Sequence, residues 1–187
     1  MSREFRILTG APGSGKTAIL EELRGRLRCV DEPARRVLAE QRAIGGSGTP
    51  ERDPALFVVL LVEAAVADHE RASLDGGPTL FDRGIPDCIA YAIHLGVDPS
   101  PSVLASDRYR YHEEVLILEP WEEIYAKDDE RTMSFADTVA FHEGLVDAFD
   151  RSGYQLVSVP RGSVTARAAF VSEQTLGRGA KNPKMSR

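Results

Sequence analysis

Residues 5–20 read FRILTGAPGSGKTAIL, and this stretch decides which fold the chain adopts. The apolar run at residues 5–9 predicts a short buried strand, and a loop with three glycines among six residues follows it. Beyond the loop, apolar residues recur at the three- and four-residue spacing of a helix, which predicts a helix over residues 16–27. The glycine-rich loop therefore stands between a strand and a helix.

The loop at residues 10–17, GAPGSGKT, matches the phosphate-loop pattern G-x-x-x-x-G-K-S/T. Glycines let successive backbone N–H groups turn inward and form an anion-binding nest, at which the positive end of the following helix also points. We expect Lys16 to bridge the outer phosphates of a nucleotide and the hydroxyl of Thr17 to bind Mg²⁺. The sequence thus predicts a nucleotide with Mg²⁺, held by Gly10, Ala11, Pro12, Gly13, Ser14, Gly15, Lys16, Thr17 and Ala18.

Strand and helix patterns alternate along the rest of the chain. Further strands are predicted at residues 28–30, 79–81, 114–118 and 154–159. Helices are predicted from residue 33, from residue 54, and over residues 86–95, 102–111, 134–153 and 163–174. Asp53 followed by Pro54 marks the second of these starts, and Ser134-x-x-Asp137 is a capping pattern. Because parallel strands need helical crossovers, the alternation together with the phosphate loop predicts a three-layer α/β P-loop NTPase fold with a five-stranded parallel sheet. Residues 1–175 are predicted to form this single domain, and residues 176–187 a basic, disordered tail.

Composition narrows the classes of function. The 187 residues carry a net charge of -6, which argues against general nucleic-acid binding. Two cysteines without CxxC spacing fit a reducing, cytoplasmic setting. The most apolar segment, residues 54–67, is too short to cross a bilayer, so no membrane association is predicted. The oligomeric state cannot be read from these features.

Acidic residues follow three of the predicted strands. Ligands of open parallel sheets bind at the carboxyl ends of the strands, so these acids are candidates for the site. Asp31 and Glu32 follow the second strand, Asp82 follows the third, and Glu119 follows the fourth. We take Asp82 as the partner of Thr17 in binding Mg²⁺, where its carboxylate would hold a water ligand of the ion.

Four motifs follow GAPGSGKT along the chain, namely DEPAR (31–35), FDRGIPD (81–87), EPWEEIY (119–125) and DDERTMSF (128–135). In this order they resemble a family of small predicted ATPases, labelled AAA-domain proteins, that are similar to nucleoside and nicotinamide-riboside kinases. The resemblance covers about residues 5–172. It implies a P-loop fold with the kinase-like strand order 2-3-1-4-5, and the use of ATP.

Deoxynucleoside kinases are a more distant resemblance. They carry a Glu-Pro pair whose Glu acts as base towards the acceptor hydroxyl, an acid-Arg-Ser motif after the third strand, and an arginine-bearing lid. Glu32, the pair Asp82 and Arg83, and Arg131 stand in matching places here. The chain departs from that pattern with Asp-Arg-Gly at the third strand and with a single lid arginine. Arg161 follows the fifth strand, where related kinases hold adenine.

The predicted catalytic residues are Lys16, Glu32, Asp82, Arg83 and Arg131. Glu32 would accept a proton from an acceptor hydroxyl or orient it, and the alternative is that it caps the next helix. Arg83 would clamp phosphate oxygens, unless it pairs with Asp82 in a structural salt bridge. Arg131 would close over the γ-phosphate, or it belongs to a solvated charged face.

Three functions fit these residues. The favoured one is an ATP- and Mg²⁺-dependent kinase, similar to nucleoside kinases, that phosphorylates a hydroxyl of a small molecule. The others are a non-kinase NTPase that acts as a switch or regulator with a protein partner, and a kinase of an antibiotic or other non-nucleoside metabolite. A substrate pocket is expected between the helices that begin at residues 33 and 54, with residues 45–50 as its rim.

Overall fold

The computed structural model describes residues 4–125 and 133–177, and within them a five-stranded sheet forms the centre of the molecule. Its strands are β1 (Phe5–Gly10), β2 (Arg28–Val30), β3 (Thr79–Asp82), β4 (Glu114–Leu118) and β5 (Gln155–Ser158). They pair in parallel in the order β2-β3-β1-β4-β5. The predicted α/β fold and strand order are confirmed.

The helices that connect these strands are α1 (Lys16–Leu23), α2 (Pro33–Ile44), α3 (Pro54–Asp75), α4 (Ile85–His94), α5 (Ser100–Arg108), α6 (Phe135–Arg151) and α7 (Val164–Leu176). A short 3₁₀ turn at Glu122–Ile124 follows β4. α1 is shorter than the predicted span of residues 16–27, because the chain turns at Gly25 with φ 84° before β2. α5 begins two residues before its predicted start, where the carboxylate of Asp98 accepts hydrogen bonds from Ser100.

Two helix starts rest on side-chain caps that the sequence predicts. The Asp53 carboxylate accepts a hydrogen bond of 3.0 Å from the backbone N–H of Leu56, and α3 begins at the following proline. Ser134 and Asp137 form a reciprocal capping box at the start of α6. Both caps satisfy N–H groups that the first helical turn leaves without partners.

Apolar side chains cover both faces of the sheet. All six residues of β1, the central strand, are buried, as expected for a parallel sheet between two helical layers. α1 and α7 pack against the face that carries Leu8 and Leu116, and α3, α4 and α6 pack against the face that carries Ile7 and Phe81. In the described ranges, no helix combines the length and apolar character needed to cross a bilayer.

The parallel sheet brings the carboxyl ends of its strands to one edge, where the predicted site residues follow β1, β2, β3 and β5. The last described helix, α7, ends at Leu176, one residue into the predicted tail of residues 176–187. From residue 178 onward that tail lies outside the described residues, so the division into domain and tail stays a prediction.

Candidate functional site

The phosphate loop leaves β1 through a sequence of glycines in the left-handed region. Gly10, Gly13 and Gly15 have φ angles of 137°, 76° and 88°, which only glycine adopts without strain. A Cβ atom on Gly10 would lie 2.3 Å from the carbonyl oxygen of Leu118 on β4, so glycine also permits this close approach. Alternation of right- and left-handed residues is the geometry of an anion nest.

Lys16 lies at the first position of α1 and folds back over the loop. Its Nζ donates hydrogen bonds to the carbonyl oxygens of Gly10 at 3.0 Å and Ala11 at 3.1 Å. Burial lowers the pKa of Lys16 to about 8, and the charge of Arg83 acts in the same direction, although Asp82 and Glu32 oppose it. An arriving phosphate would favour the charged ammonium.

The other loop residues frame this lysine. Ser14 is buried, and its hydroxyl donates a hydrogen bond of 2.8 Å to the carbonyl of Ala11, which braces the loop from within. Thr17 is exposed, whereas Pro12 and Ala18 are half-buried. The predicted loop residues therefore form one continuous turn around the start of α1.

The acidic strand ends divide into two groups. Asp31 pairs with Arg24 on the surface, and exposed Glu119 accepts a hydrogen bond from Ser158. Glu32 and Asp82 instead lie close enough to Lys16 for their charges to raise its pKa. The structure thus selects Glu32 and Asp82 as the carboxylates that accompany the phosphate loop.

Arg83 is buried in the turn after β3 and links two carboxylates. Its Nε donates to Glu32 at 2.8 Å and its Nη1 donates to Asp87 at 3.1 Å. The backbone of Arg83 has φ 68°, and its N–H donates to the carbonyl of Leu8 on β1 at 3.1 Å. The alternative in which Arg83 pairs with Asp82 is wrong in this structure, because its carboxylate partners are Glu32 and Asp87.

Asp87 is a site residue that was not predicted from the sequence. This carboxylate is 1% exposed and accepts hydrogen bonds from the hydroxyl of Thr9, from Arg83, and from the backbone N–H of Gly84 at 2.8 Å. It stands at the third position of α4, four residues after Arg83, within the motif FDRGIPD. That capping position was the available signal. Asp87 ties β1, the turn after β3 and α4 together.

Glu32 precedes α2 but does not cap it through its side chain. Its two oxygens accept from Arg83 at 2.8 Å and from Arg35 at 3.2 Å, and the hydroxyl of Tyr91 lies 3.4 Å away. Burial on its own would raise the pKa of Glu32, but the charges of Arg83 and Lys16 outweigh it and bring the pKa to about 2. The side chain is therefore a carboxylate at neutral pH and can accept a hydrogen bond from a hydroxyl.

Asp82 has the opposite electrostatic environment. Burial raises its pKa to about 6, Lys16 lowers it and Glu32 adds to the rise. Its Oδ1 is buried and has no hydrogen-bond partner among residues 4–125 and 133–177. A buried oxygen of this kind is costly unless a further group satisfies it.

The donor set fits a magnesium ion that arrives with a nucleotide. No group of three His, Cys, Asp or Glu side chains within the described ranges is arranged to hold a metal. Mg²⁺ needs no such group, because one or two protein oxygens, substrate phosphates and waters complete its coordination. The hydroxyl of Thr17 and the unpartnered oxygen of Asp82 are oxygen donors of this type.

Trp121, an aromatic residue that follows β4, packs against two arginines. Arg161, after β5, is exposed and donates to the carbonyl of Pro120 at 3.1 Å, with its guanidinium 5.6 Å from the ring centre of Trp121. Trp121 also packs against Arg167 of α7, at 5.5 Å. Arg167 stands far from every motif and was not predicted as a site residue. Trp121 had no predicted role in the site.

Tyr125 contacts the phosphate loop. A Cβ atom on Gly13 would lie 2.6 Å from a ring carbon of Tyr125, so the ring covers this glycine. Tyr125 also packs edge-on against Phe135 at the start of α6. Arg131, the predicted lid arginine, lies outside the described residues, and its role stays a prediction.

A cavity of about 360 Å³ lies between α2 and α3, where the substrate pocket was expected. Charged side chains contribute much of its lining, including Arg36 and Asp68, which form an ion pair of 2.7 Å. Arg36, which lines the cavity, stands four residues after Glu32, one helical turn further along the chain. Its use as a substrate pocket remains a prediction.

Comparisons with known proteins agree with this architecture. No curated protein matches the chain. A thymidylate kinase from Ehrlichia chaffeensis is 17% identical over 92% of this chain and 98% of its own, with a TM-score of 0.56. A deoxyadenosine kinase from M. mycoides is 12% identical over 91% of this chain and 97% of its own, with a TM-score of 0.60. At such identities the likeness shows the fold, an α/β P-loop kinase fold. A family model described as an AAA domain matches residues 5–167, and the chain belongs to that family.

Proposed function

We propose that the protein is an ATP- and Mg²⁺-dependent phosphotransferase, similar to nucleoside kinases, that phosphorylates a hydroxyl of a small molecule. One observation carries the proposal: Arg83 holds the ionised carboxylate of Glu32 beside Lys16 of the phosphate loop. A phosphate loop by itself serves any nucleotide-hydrolysing protein. A carboxylate held next to the loop is what a hydroxyl acceptor needs.

The loop would bind the phosphates of ATP. Backbone N–H groups of the glycine turn and the ammonium of Lys16 supply positive charge for the β- and γ-phosphates. Thr17 and Asp82 would hold Mg²⁺, which neutralises charge on the transferred group when it is bound. Binding would also satisfy the buried oxygen of Asp82.

Glu32 would orient the acceptor hydroxyl more than it deprotonates it. A carboxylate with a pKa of about 2 is a weak base but is ionised throughout the neutral range. Phosphoryl transfer has a loose transition state, so positioning of the attacking oxygen matters more than early proton removal. As the new P–O bond forms and the bond to the leaving ADP breaks, the hydroxyl proton passes to Glu32 and then to solvent.

Arg83 would position Glu32. In the structure its Nε and Nη1 contact Glu32 and Asp87, and its guanidinium lies 5.7 Å from the ring centre of Tyr91 and 5.8 Å from that of Phe141. These contacts hold the guanidinium in one place next to Glu32. A direct clamp on phosphate oxygens remains part of the proposal.

A non-nucleoside acceptor is the second candidate. Five charged side chains line the cavity between α2 and α3, namely Arg36, Glu40, Glu63, Asp68 and Arg71. A strongly charged lining favours an acceptor with several polar or charged groups over an apolar one. Amino-substituted sugars and antibiotics therefore belong in any acceptor panel.

ADP release with and without acceptors tests the proposal. The panel contains nucleosides, nucleoside monophosphates and polyhydroxylated antibiotics. We expect one class to stimulate turnover, and Glu32→Gln to lower the stimulated kcat by about 10²- to 10⁴-fold with little change in ATP affinity. Asp31→Asn is the matched control, since this neighbouring carboxylate pairs with Arg24 on the surface. Turnover that ignores acceptors and responds to a protein partner would support the switch instead.

A further inference from the structure

We propose that Arg167 is a positioning residue of the phosphate loop, which holds the Ser14 carbonyl outward so that the N–H of Gly15 faces the phosphate site. The inference rests on the proposed binding of a nucleotide at this loop. It concerns a residue of α7 that lies 153 positions from Ser14 along the chain.

Arg167 is a buried cation with an unusual set of partners. It is 5% exposed, and its Nη1 donates a hydrogen bond of 3.1 Å to the carbonyl oxygen of Ser14. No carboxylate of residues 4–125 or 133–177 forms an ion pair with it, and in these ranges its Nε has no hydrogen-bond partner. Burial lowers the pKa of Arg167. A buried charge without a carboxylate partner costs stability, so packing alone does not account for its presence.

This hydrogen bond determines the direction of the neighbouring Gly15 N–H, because both groups belong to the same peptide. In a trans peptide the C=O and the following N–H point in opposite directions. The carbonyl of Ser14 points at Arg167 on α7, so the N–H of Gly15 points away from α7. That N–H belongs to the nest that would receive a phosphate.

The guanidinium of Arg167 lies where a side chain on residue 15 would begin, so it can lie there only because residue 15 is glycine. A Cβ atom on Gly15 would lie 2.8 Å from Nη1 and 3.1 Å from Nη2 of Arg167, so any larger residue would displace it. The ring centre of Trp121 lies 5.5 Å from the same guanidinium. Arg167 is thus held between the loop and an aromatic residue that follows β4.

The helix that carries Arg167 is itself well fixed. The hydroxyl of Ser163 caps α7 by accepting from Ala166 at 3.2 Å, and the N–H of Arg167 donates to the Ser163 carbonyl at 3.0 Å. α7 also packs along α1, the helix that begins at the loop, and buries Val171 there. Because α7 is fixed in this way, it holds Arg167 in a constant position next to the loop.

Binding of inorganic tripolyphosphate with Mg²⁺, measured by calorimetry, tests the inference without involving the base or the acceptor. We expect Arg167→Met to weaken tripolyphosphate binding by about 10- to 100-fold, the effect of one lost charge-assisted hydrogen bond. KM for ATP should rise while kcat at saturating ATP changes little. Arg167→Lys keeps a donor and a charge, and we expect an intermediate affinity.

Arg110→Met is the matched control. Arg110 also lies over an aromatic ring, that of Tyr154 at 4.1 Å, and donates to a backbone carbonyl, that of Ser152 at 2.9 Å. Its loss should lower the unfolding midpoint without affecting tripolyphosphate. Equal weakening in both methionine variants would reveal a general loss of structure and overturn the inference.

The outcomes separate this inference from the proposed function. Wild-type protein that binds neither tripolyphosphate nor ATP overturns both. Wild-type protein that binds, together with an Arg167→Met variant that binds equally well, overturns only the role of Arg167. Should the methionine variant not fold, Arg167→Lys decides: reduced affinity at an unchanged unfolding midpoint supports the inference, and wild-type affinity overturns it.

Discussion

Two carboxylates at neighbouring strand ends have pKa values that move in opposite directions. Glu32 follows β2 and its pKa falls to about 2, whereas Asp82 ends β3 and its pKa rises to about 6. The difference comes from Arg83, whose Nε contacts Glu32, while one oxygen of Asp82 is buried without a partner in the described ranges. Such a split is expected where two acids have different tasks, and the proposed tasks are acceptor orientation for Glu32 and metal binding for Asp82.

Asp82→Asn should stabilise the protein in the absence of nucleotide, and more so as the pH rises. The pKa of Asp82 increases from an ordinary 3.8 to about 6 on folding, so the folded state retains a proton that the unfolded state has lost. Wild-type stability therefore falls as the pH rises between these two values, whereas asparagine does not ionise. We expect a gain of about 1–3 kcal/mol at pH 8 relative to pH 4.5, measured by urea unfolding.

Asp31→Asn provides the control for this pH dependence. Asp31 forms an exposed ion pair with Arg24, and exposed pairs contribute little to stability. Its substitution should change the free energy of unfolding similarly at both pH values. An Asp82→Asn variant whose advantage is the same at pH 4.5 and pH 8 would show that the folded carboxyl titrates normally.

At the scale of the element, the turn from β3 to α4 combines backbone strain with charge. Arg83 is the one non-glycine residue with positive φ in the described ranges, at 68°. This conformation directs the guanidinium towards Glu32 and Asp87. The strain is thus retained at a position whose side chain joins two carboxylates, which is common at functional sites.

Arg83→Gly and Arg83→Ala should separate the backbone from the side chain. Both remove the guanidinium, and both should lose acceptor-stimulated turnover to a similar extent. Glycine accepts positive φ freely, so we expect the glycine variant to be about 1 kcal/mol more stable than the alanine variant in denaturant unfolding. An alanine variant as stable as the glycine variant would mean that the turn relaxes once the guanidinium is gone.

At the scale of the whole molecule, the phosphate loop is joined to the sheet and to the helical layer formed by α1 and α7. It continues β1 into α1, approaches β4 at Leu118, and accepts a hydrogen bond from Arg167 of α7. A ligand bound there would therefore stabilise the entire fold and not just a surface loop. Ligand binding to the folded state raises stability by mass action.

Thermal unfolding with MgATP measures this linkage. At about 100 times its Kd, MgATP should add about 2.7 kcal/mol, which corresponds to a rise in midpoint of about 5–10 °C for a domain of this size. Lys16→Ala should reduce that shift strongly because its Nζ lies at the loop mouth, 3.0 Å from the Gly10 carbonyl. Equal shifts in wild type and variant would place the nucleotide elsewhere.

The sequence by itself determined the class of fold and the location of the phosphate loop. Strand and helix periodicity, the glycine pattern and the caps at Asp53 and Ser134 are local features, and each specifies structure within a few residues. Glu32, Asp82 and Arg83 could be chosen as candidate site residues because they follow predicted strands, and the carboxyl ends of parallel strands meet at one edge. The early end of α1 was not predicted, since a turn at Gly25 overrode the apolar spacing.

Only the tertiary structure decided how these residues pair and which of them are charged. Arg83 lies next to Asp82 in the chain but bonds to Glu32, which is 51 residues away, and the loop accepts a hydrogen bond from Arg167 of the last described helix. The opposite pKa shifts of Glu32 and Asp82 likewise follow from burial and from the distance to Arg83 and Lys16. Electrostatic energy depends on separation and solvent exposure in space, and a one-dimensional pattern specifies neither.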